Sequence, residues 1–306
     1  MRVILDVFSG RKNPSWRLDE KNARELVERV KSFPPYSEAL SARSQLGLRN
    51  VILELEPGES QGYALPAQVA FGVDDLPSLT SRVAVDSLKQ QTATSIKRQT
   101  VEWLVNTPES ILDDYTKNAI SALMRRDERT VKPVKKDSDT QRSAAAFAQT
   151  TELGEKMTRD ACIPFLSLMQ FQFWNNPLAQ PTNNCYNYAS NALTYTLAQP
   201  GRFSGQLYTS FACAAVRDAA FADGVREDCD GPRRVIALAI WPGIDFHWWR
   251  MHLNGFWAHK VGWWPATNLD NRGRVIGNTL APENCDRGPY SLFCGYYFAP
   301  LGMRVL

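Results

Sequence analysis

The chain has 306 residues, enough for about two domains of ordinary size. Its 44% hydrophobic and 22% charged residues are the composition of a folded globular protein and exclude general disorder. A net charge of +3, from 35 Lys+Arg against 32 Asp+Glu, is too even to indicate nucleic acid or a membrane as partner, and no apolar run reaches the ~20 residues of a spanning helix.

The first half reads as a small α/β unit. Arg2 to Phe8 alternates as a strand does, and Ser9-Gly10-Arg11-Lys12-Asn13-Pro14 is turn chemistry. Asp19 is placed to cap a helix whose inner face is Ala23, Leu26, Val27 and Val30, and Pro34-Pro35 stops it. Strands are predicted over 50–55 and 67–73, and helices over 84–104 and 108–126. This half has no His, no Cys, no glycine phosphate loop and no paired carboxylates, so it reads as a binding or scaffold domain open to a protein partner. Residues 125–142 then carry seven basic and four acidic residues, interleaved and without aromatics, which reads as a solvated linker. The expected division is 1–127 for the first domain, 128–160 for the linker with a helix around 143–157, and 161–306 for the second domain.

The second half is different in kind. It holds all six cysteines and all three histidines, and six of the nine tryptophans fall between Trp241 and Trp264. Asn183 or Asn184 can cap a helix whose first turn contains Cys185, with Tyr188, Ala189, Ala192 and Leu193 as its inner face. A second helix is expected over 210–223, closed by Gly224. Strands follow over 235–241, 246–253, 256–260 and 293–298. Asn254-Gly255 is the favoured pair for a two-residue hairpin turn, which sets Leu253 opposite Phe256, His252 opposite Trp257 and Arg250 opposite His259. In that register His247, Trp249, Met251, Leu253, Phe256, Ala258 and Lys260 share the more apolar face, expected to pack against the helices. His252 and His259 point outward together.

A thiol in the first turn of a helix favours the thiolate, and a nucleophilic cysteine needs a base. Cys185 at a helix start, with His247 later at the start of a sheet strand, resembles the papain-like thiol hydrolases, in particular the bacterial cell-wall endopeptidases and amidases. The resemblance covers about residues 160–300. It implies a helix-and-antiparallel-sheet domain, so that the whole chain is α+β. It also implies Cys185 as nucleophile, His247 as base and a third polar residue orienting the imidazole, for which Asp245, Asn268 and Asp270 are open. Asn183 or Asn184 would then help to hold an oxyanion, and the substrate would be a peptide or peptidoglycan-like amide.

Other readings stand beside this one. Cys185 is equally a buried structural thiol. Cys213 with Cys229, and Cys285 with Cys294, are possible disulfides. A metal site using His252 and His259 lacks a Cys-x-x-Cys partner, and no cofactor is expected. Trp248, Trp249 and Trp257 form either a platform for a peptide, glycan or protein partner, or the core of a small sheet. The chain opens Met1-Arg2-Val3-Ile4-Leu5-Asp6, without the longer apolar core of a signal peptide, so a cytoplasmic location with mostly reduced cysteines is expected.

Overall fold

The structure is a computed structural model and describes residues 1–33, 45–72, 87–125, 162–277 and 279–306. The expected linker at 128–160, the helix around 143–157 and the Pro34-Pro35 stop lie outside the described residues. The chain forms two compact units. The first is Met1–Val7, Asn13–Ala42 and Leu48–Val131; the second is Phe8–Lys12, Arg43–Gly47 and Lys132–Leu306. Helices and largely antiparallel sheets occur in both, so the chain is α+β.

In the first unit, β1 (Arg2–Asp6), β2 (Ser15–Arg17), β3 (Asn50–Glu54) and β4 (Gln68–Gly72) form a sheet in the order β2-β1-β3-β4. Alternation decides its inner face: Val3 lies opposite Leu53 and Leu5 opposite Val51, and all four are fully buried. Helix α1 (Glu20–Lys31) follows the predicted pattern, with Asp19 accepting a bond from the Asn22 N–H at 2.7 Å and Ala23, Leu26 and Val27 buried. A short helix, α2 (Pro57–Tyr63), was not anticipated, because its Gly58 and Gly62 are poor helix formers; Pro57 in the first turn and a reciprocal Glu56–Glu59 capping box support it. Helices α3 (Ser87–Val105) and α4 (Asp114–Arg125) bury Val101, Leu104, Val105 and Ile120. The Asp6 carboxylate is buried against Arg49 at 2.6 Å and also accepts from Asn13 and Asn50, so this interior charge is fully partnered.

The second unit is a sheet in the order β10-β6-β7-β8-β9, with β5 (Ile163–Pro164) pairing parallel to the start of β6. The long strands are β6 (Pro232–Trp241), β7 (Asp245–Met251), β8 (Trp257–Lys260) and β10 (Leu292–Pro300); β9 is the two residues Ala266–Thr267. A single turn, α5 (Phe171–Trp174), precedes α6 (Cys185–Ser190) and α7 (Cys213–Ala222). Every residue of β7 is buried, so the sheet is covered on both faces.

The hairpin register differs from the expected one by a single residue. Leu253–Gly255 form a 3-10 turn with Asn254 left-handed at φ 62°, and the pairs become Met251 with Trp257, Arg250 with Ala258 and Trp249 with His259. A slip of one residue exchanges the faces of a strand. His259 therefore joins His247 and Trp249. His252 stays with Phe246, Trp248 and Arg250 as expected, but it is this face and not the His247 face that meets α6, through Tyr186 on Trp248 and Tyr188 on Arg250. The tryptophans are core: Trp248 and Trp249 are fully buried, and Trp257 is 4% exposed, so none of the three presents a platform to a ligand.

Two disulfides close long loops, Cys162–Cys229 and Cys213–Cys294, neither of them the pairing anticipated from short spacing. Cys294 is the extra residue of a bulge between Phe293 and Gly295, which turns it toward α7. With sequence separations of 67 and 81 between the partners, each bridge restricts the unfolded chain by about 4 kcal/mol on the chain-entropy view. Peptide mapping without reduction is expected to recover both pairs, and Cys213→Ser with Cys294→Ser to lower unfolding stability by about 2–5 kcal/mol in denaturant titration.

Candidate functional site

Asn184 caps α6 as expected. Its side chain accepts from the N–H groups of Tyr186 (3.1 Å) and Asn187 (3.2 Å), and Asn187 Oδ1 in turn accepts from the Asn184 N–H at 2.9 Å. Its amide Nδ2 donates to the carbonyls of Gly10 (2.6 Å) and Ala198 (2.8 Å), so both ends of the side chain are occupied by structural bonds. Asn183 is likewise used within the fold, bonding Ala179, Thr194 and Tyr195.

Cys185 begins α6 and is fully buried. Its sulfur lies 3.9 Å from the Phe246 carbonyl and also interacts with Ser9. Burial first, and the nearby Asp245 carboxylate second, push the thiol well above its ordinary value. A helix start favours an anion by about 2 kcal/mol at most, whereas complete burial shifts an ionisable group by up to 3–5 pK units at about 1.4 kcal/mol each. Desolvation wins, and the thiol stays protonated.

The residues gathered around the open end of β7 form a directed chain of hydrogen bonds. His259 Nε2 lies 2.9 Å from the Leu269 carbonyl, which can only accept, so Nε2 carries the proton and Nδ1 is the acceptor. His247 Nε2 then donates to His259 Nδ1 at 2.7 Å, and His247 Nδ1 is hydrogen-bonded with Ser9 Oγ at 2.9 Å, a hydroxyl that also lies 3.1 Å from the Phe246 carbonyl. Both ring nitrogens of His247 are thus engaged, with Ser9 standing where a nucleophile was expected. Asp245 is fully buried beside them and accepts at Oδ2 from Ser9 N (2.7 Å), Gly10 N (3.1 Å) and Tyr290 OH (2.5 Å). Burial raises its carboxyl even so. Gly10 is required here by space: a Cβ would stand 2.6 Å from the Phe246 ring.

Asp270, the other candidate for the third position, is spent on its own loop. It accepts from the N–H groups of Arg272 and Arg274 and pairs with the Arg274 guanidinium at 2.7 Å. Asn268 supplies a backbone carbonyl to Ile276 N–H. A second chain involves His252: Nδ1 donates to the Ser167 carbonyl at 3.1 Å, and Nε2 accepts from Tyr188 OH at 2.9 Å. No group of three metal-ligating side chains occurs among the described residues. Ser9 and Tyr290 were missed by sequence reasoning. One lies in a turn and the other in a loop, 281 positions apart, and no local pattern marks either.

No family model matches the chain, and no solved structure matches it. The chain is 44% identical over 126 residues to insoluble matrix shell protein 1 of Ruditapes philippinarum, covering 40% of this chain and 83% of that protein. The chain belongs to the family of that shell matrix protein. This relationship overturns the reading as a cysteine-dependent peptidase or amidase, and with it the description as a thiol protease of bacterial type. The protonated, inaccessible Cys185 thiol gives the physical reason. It also overturns the cytoplasmic expectation, since the relative is named for an insoluble shell matrix and the two disulfides belong to an oxidising compartment.

Burial holds His259 at about 4, and burial together with the Arg250 charge holds His252 at about 4, against an ordinary 6.5. Both are neutral in the folded protein above that value. Between pH 6.5 and about 4 the unfolded chain binds protons that the folded chain refuses, so stability is full above 6.5 and declines as pH falls through this window. Proton NMR of the native protein is expected to show neither ring titrating above about pH 5, and urea unfolding to weaken by a few kcal/mol between neutral pH and the foot of the window. On the same material Cys185 should resist a maleimide until denaturant is added.

Proposed function

We propose that the protein is a non-catalytic component of an insoluble extracellular matrix that recognises a peptide or protein partner. The observation that carries this reading is the 44% identity to a shell matrix protein over 83% of that protein's length. Three features of the second unit support it. Disulfides brace it at two places, as suits a protein outside the reducing cytoplasm. Its histidines and Cys185 serve internal bonds and core packing. Its exposed apolar side chains include Ile163, Phe165, Leu168, Phe173 and Leu178, one short stretch of chain offering a surface to a partner.

The finer architecture proposed for this unit is papain-like in arrangement alone. In support, α6 opens at Cys185 and packs on an antiparallel sheet whose strand β7 carries His247. A protein partner for the first unit is proposed likewise, on its lack of residues suited to chemistry.

Cell fractionation tests the matrix reading. The tagged protein is expected in the extracellular fraction that resists salt and detergent, with Cys185→Ala and His247→Ala partitioning as the native chain does. Recovery in the soluble cytosol, or turnover of an amide substrate that Cys185→Ala abolishes, would refute it.

A further inference from the structure

We infer that the second unit holds a carboxylate-binding site formed by Arg234 of β6 and Arg250 of β7, beneath the segment Phe165–Trp174. The register places them together. Ile236 stands directly opposite Arg250, and Arg234, two positions from Ile236, projects from the same face. This is the face that meets α6, continued to the far end of the two strands.

Both guanidinium groups are inside the protein, Arg250 at 2% and Arg234 at 8% exposure. No carboxylate of the described residues forms an ion pair with either. Arg250 Nε and Nη1 are buried without any hydrogen-bond partner, and Arg234 gives one bond, from Nη1 to the Pro300 carbonyl at 3.2 Å. Arg250 also has a hydrogen bond with the uncharged Tyr188 hydroxyl, and the aromatic neighbours are Tyr188 at 4.5 Å and Trp174 at 6.0 Å from the Arg250 guanidinium carbon and Phe165 at 5.6 Å from that of Arg234. His252 brings no negative charge, being neutral and bonded to Tyr188 and Ser167.

An arginine cannot shed its proton to escape such a setting; burial disfavours both charged groups, and the Arg234 charge adds to this at Arg250. Like charges taken out of water without a counterion are disfavoured, and ring faces offset only part of that. An anion between them removes the cost. A planar carboxylate suits the guanidinium fork, which can hold it by two parallel bonds, and the apolar side chains packed nearby, Met169, Ala258 and Ala266, add no further donors for a larger anion such as phosphate.

The covering segment is fastened at both ends and lightly held between them. The Cys162–Cys229 disulfide and the β5 pairing anchor its start, and Asn175 exchanges two bonds with the Ala266 backbone at its end. In the middle the Ser167 carbonyl accepts from Leu253 N–H at 3.1 Å and from His252, and Leu168 is 65% exposed. Displacement of this middle part admits the ligand. The exposed Phe165, Leu168 and Leu253 around it favour an acidic side chain carried on an apolar peptide. That choice of source rests on the partner reading above; the carboxylate site itself does not.

The test is a titration of the native protein with sodium acetate against sodium chloride at equal ionic strength, and with the peptide acetyl-Leu-Glu-Leu-amide against its Gln counterpart. It is followed by thermal unfolding and by the Arg Nε–H NMR signals. Saturable stabilisation by acetate or by the Glu peptide, with a shifted Arg250 Nε–H signal, is the expected result. Arg250→Met should abolish it and Arg234→Met should weaken it by about tenfold or more. A Glu peptide binding about tenfold tighter than acetate identifies a peptide side chain as the source, and equal binding a free carboxylate. Acetate indistinguishable from chloride together with equal behaviour of the two peptides overturns the site. So does an unmoved Arg250 signal in the native protein, which decides the matter even if the Met variants fail to fold. A protein that binds acetate yet stays out of the insoluble matrix removes the proposed function and leaves this site standing.

Discussion

The buried Asp245 carboxylate sets the terms for the whole open end of the second sheet. A carboxylate with no exposure and no ion-pair partner must be satisfied by hydrogen-bond donors, and here these come from far along the chain: the Ser9 and Gly10 amides and the Tyr290 hydroxyl, all on Oδ2. Holding Ser9 in this place delivers its hydroxyl to His247, and through His247 to His259 and the Leu269 carbonyl. The same turn gives the Gly10 carbonyl to Asn184 and Gln199, tying the cap of α6 to the residues that hold β7. A polar network of this depth is stable only when its members are satisfied together, and one orphan atom, Asp245 Oδ1, is its remaining cost.

These geometries look like catalytic ones because they use the same chemistry. Here Ser9 is the group bonded to His247 Nδ1, while Cys185 packs with Phe246 and Trp248 on the other face of β7, and the same residue types serve to close a protein interior. The difference lies in water and access. With the thiol desolvated and near a carboxylate, the charged form that nucleophilic chemistry needs is the disfavoured one. The family relationship to a shell matrix protein and the burial of Cys185 therefore point the same way, through independent reasoning.

The hairpin shows how much can turn on one residue. Asn254-Gly255 is a sound signal for a tight reversal, and the reversal is there. It closes as a longer turn with Leu253 included, and that single added residue moves His259 from one face to the other. Without the change His259 would lie on the face away from His247, and the His247 Nε2 to His259 Nδ1 bond would be lost. The pairing of Arg250 with the Tyr188 ring follows from α6 meeting the Trp248 face rather than the Trp249 face.

Local physics was legible in the residues. The cap at Asp19, the cap at Asn184, the alternation of Val3 and Leu5, the Gly224 helix stop and the end of β6 at Trp241 all follow from interactions within a few residues, and all are present. The change of character between the halves of the chain was equally plain from composition. What the tertiary structure alone decided is everything that depends on distant partners: which cysteines meet, that Ser9 and Tyr290 complete the histidine chain, which sheet face receives α6, and that the tryptophans are interior. The reason is physical. Caps and alternation are decided by neighbours along the chain, whereas burial, and with it the protonation of Cys185, His252 and His259 and the isolation of Arg250, is a property of what the rest of the fold lays on top.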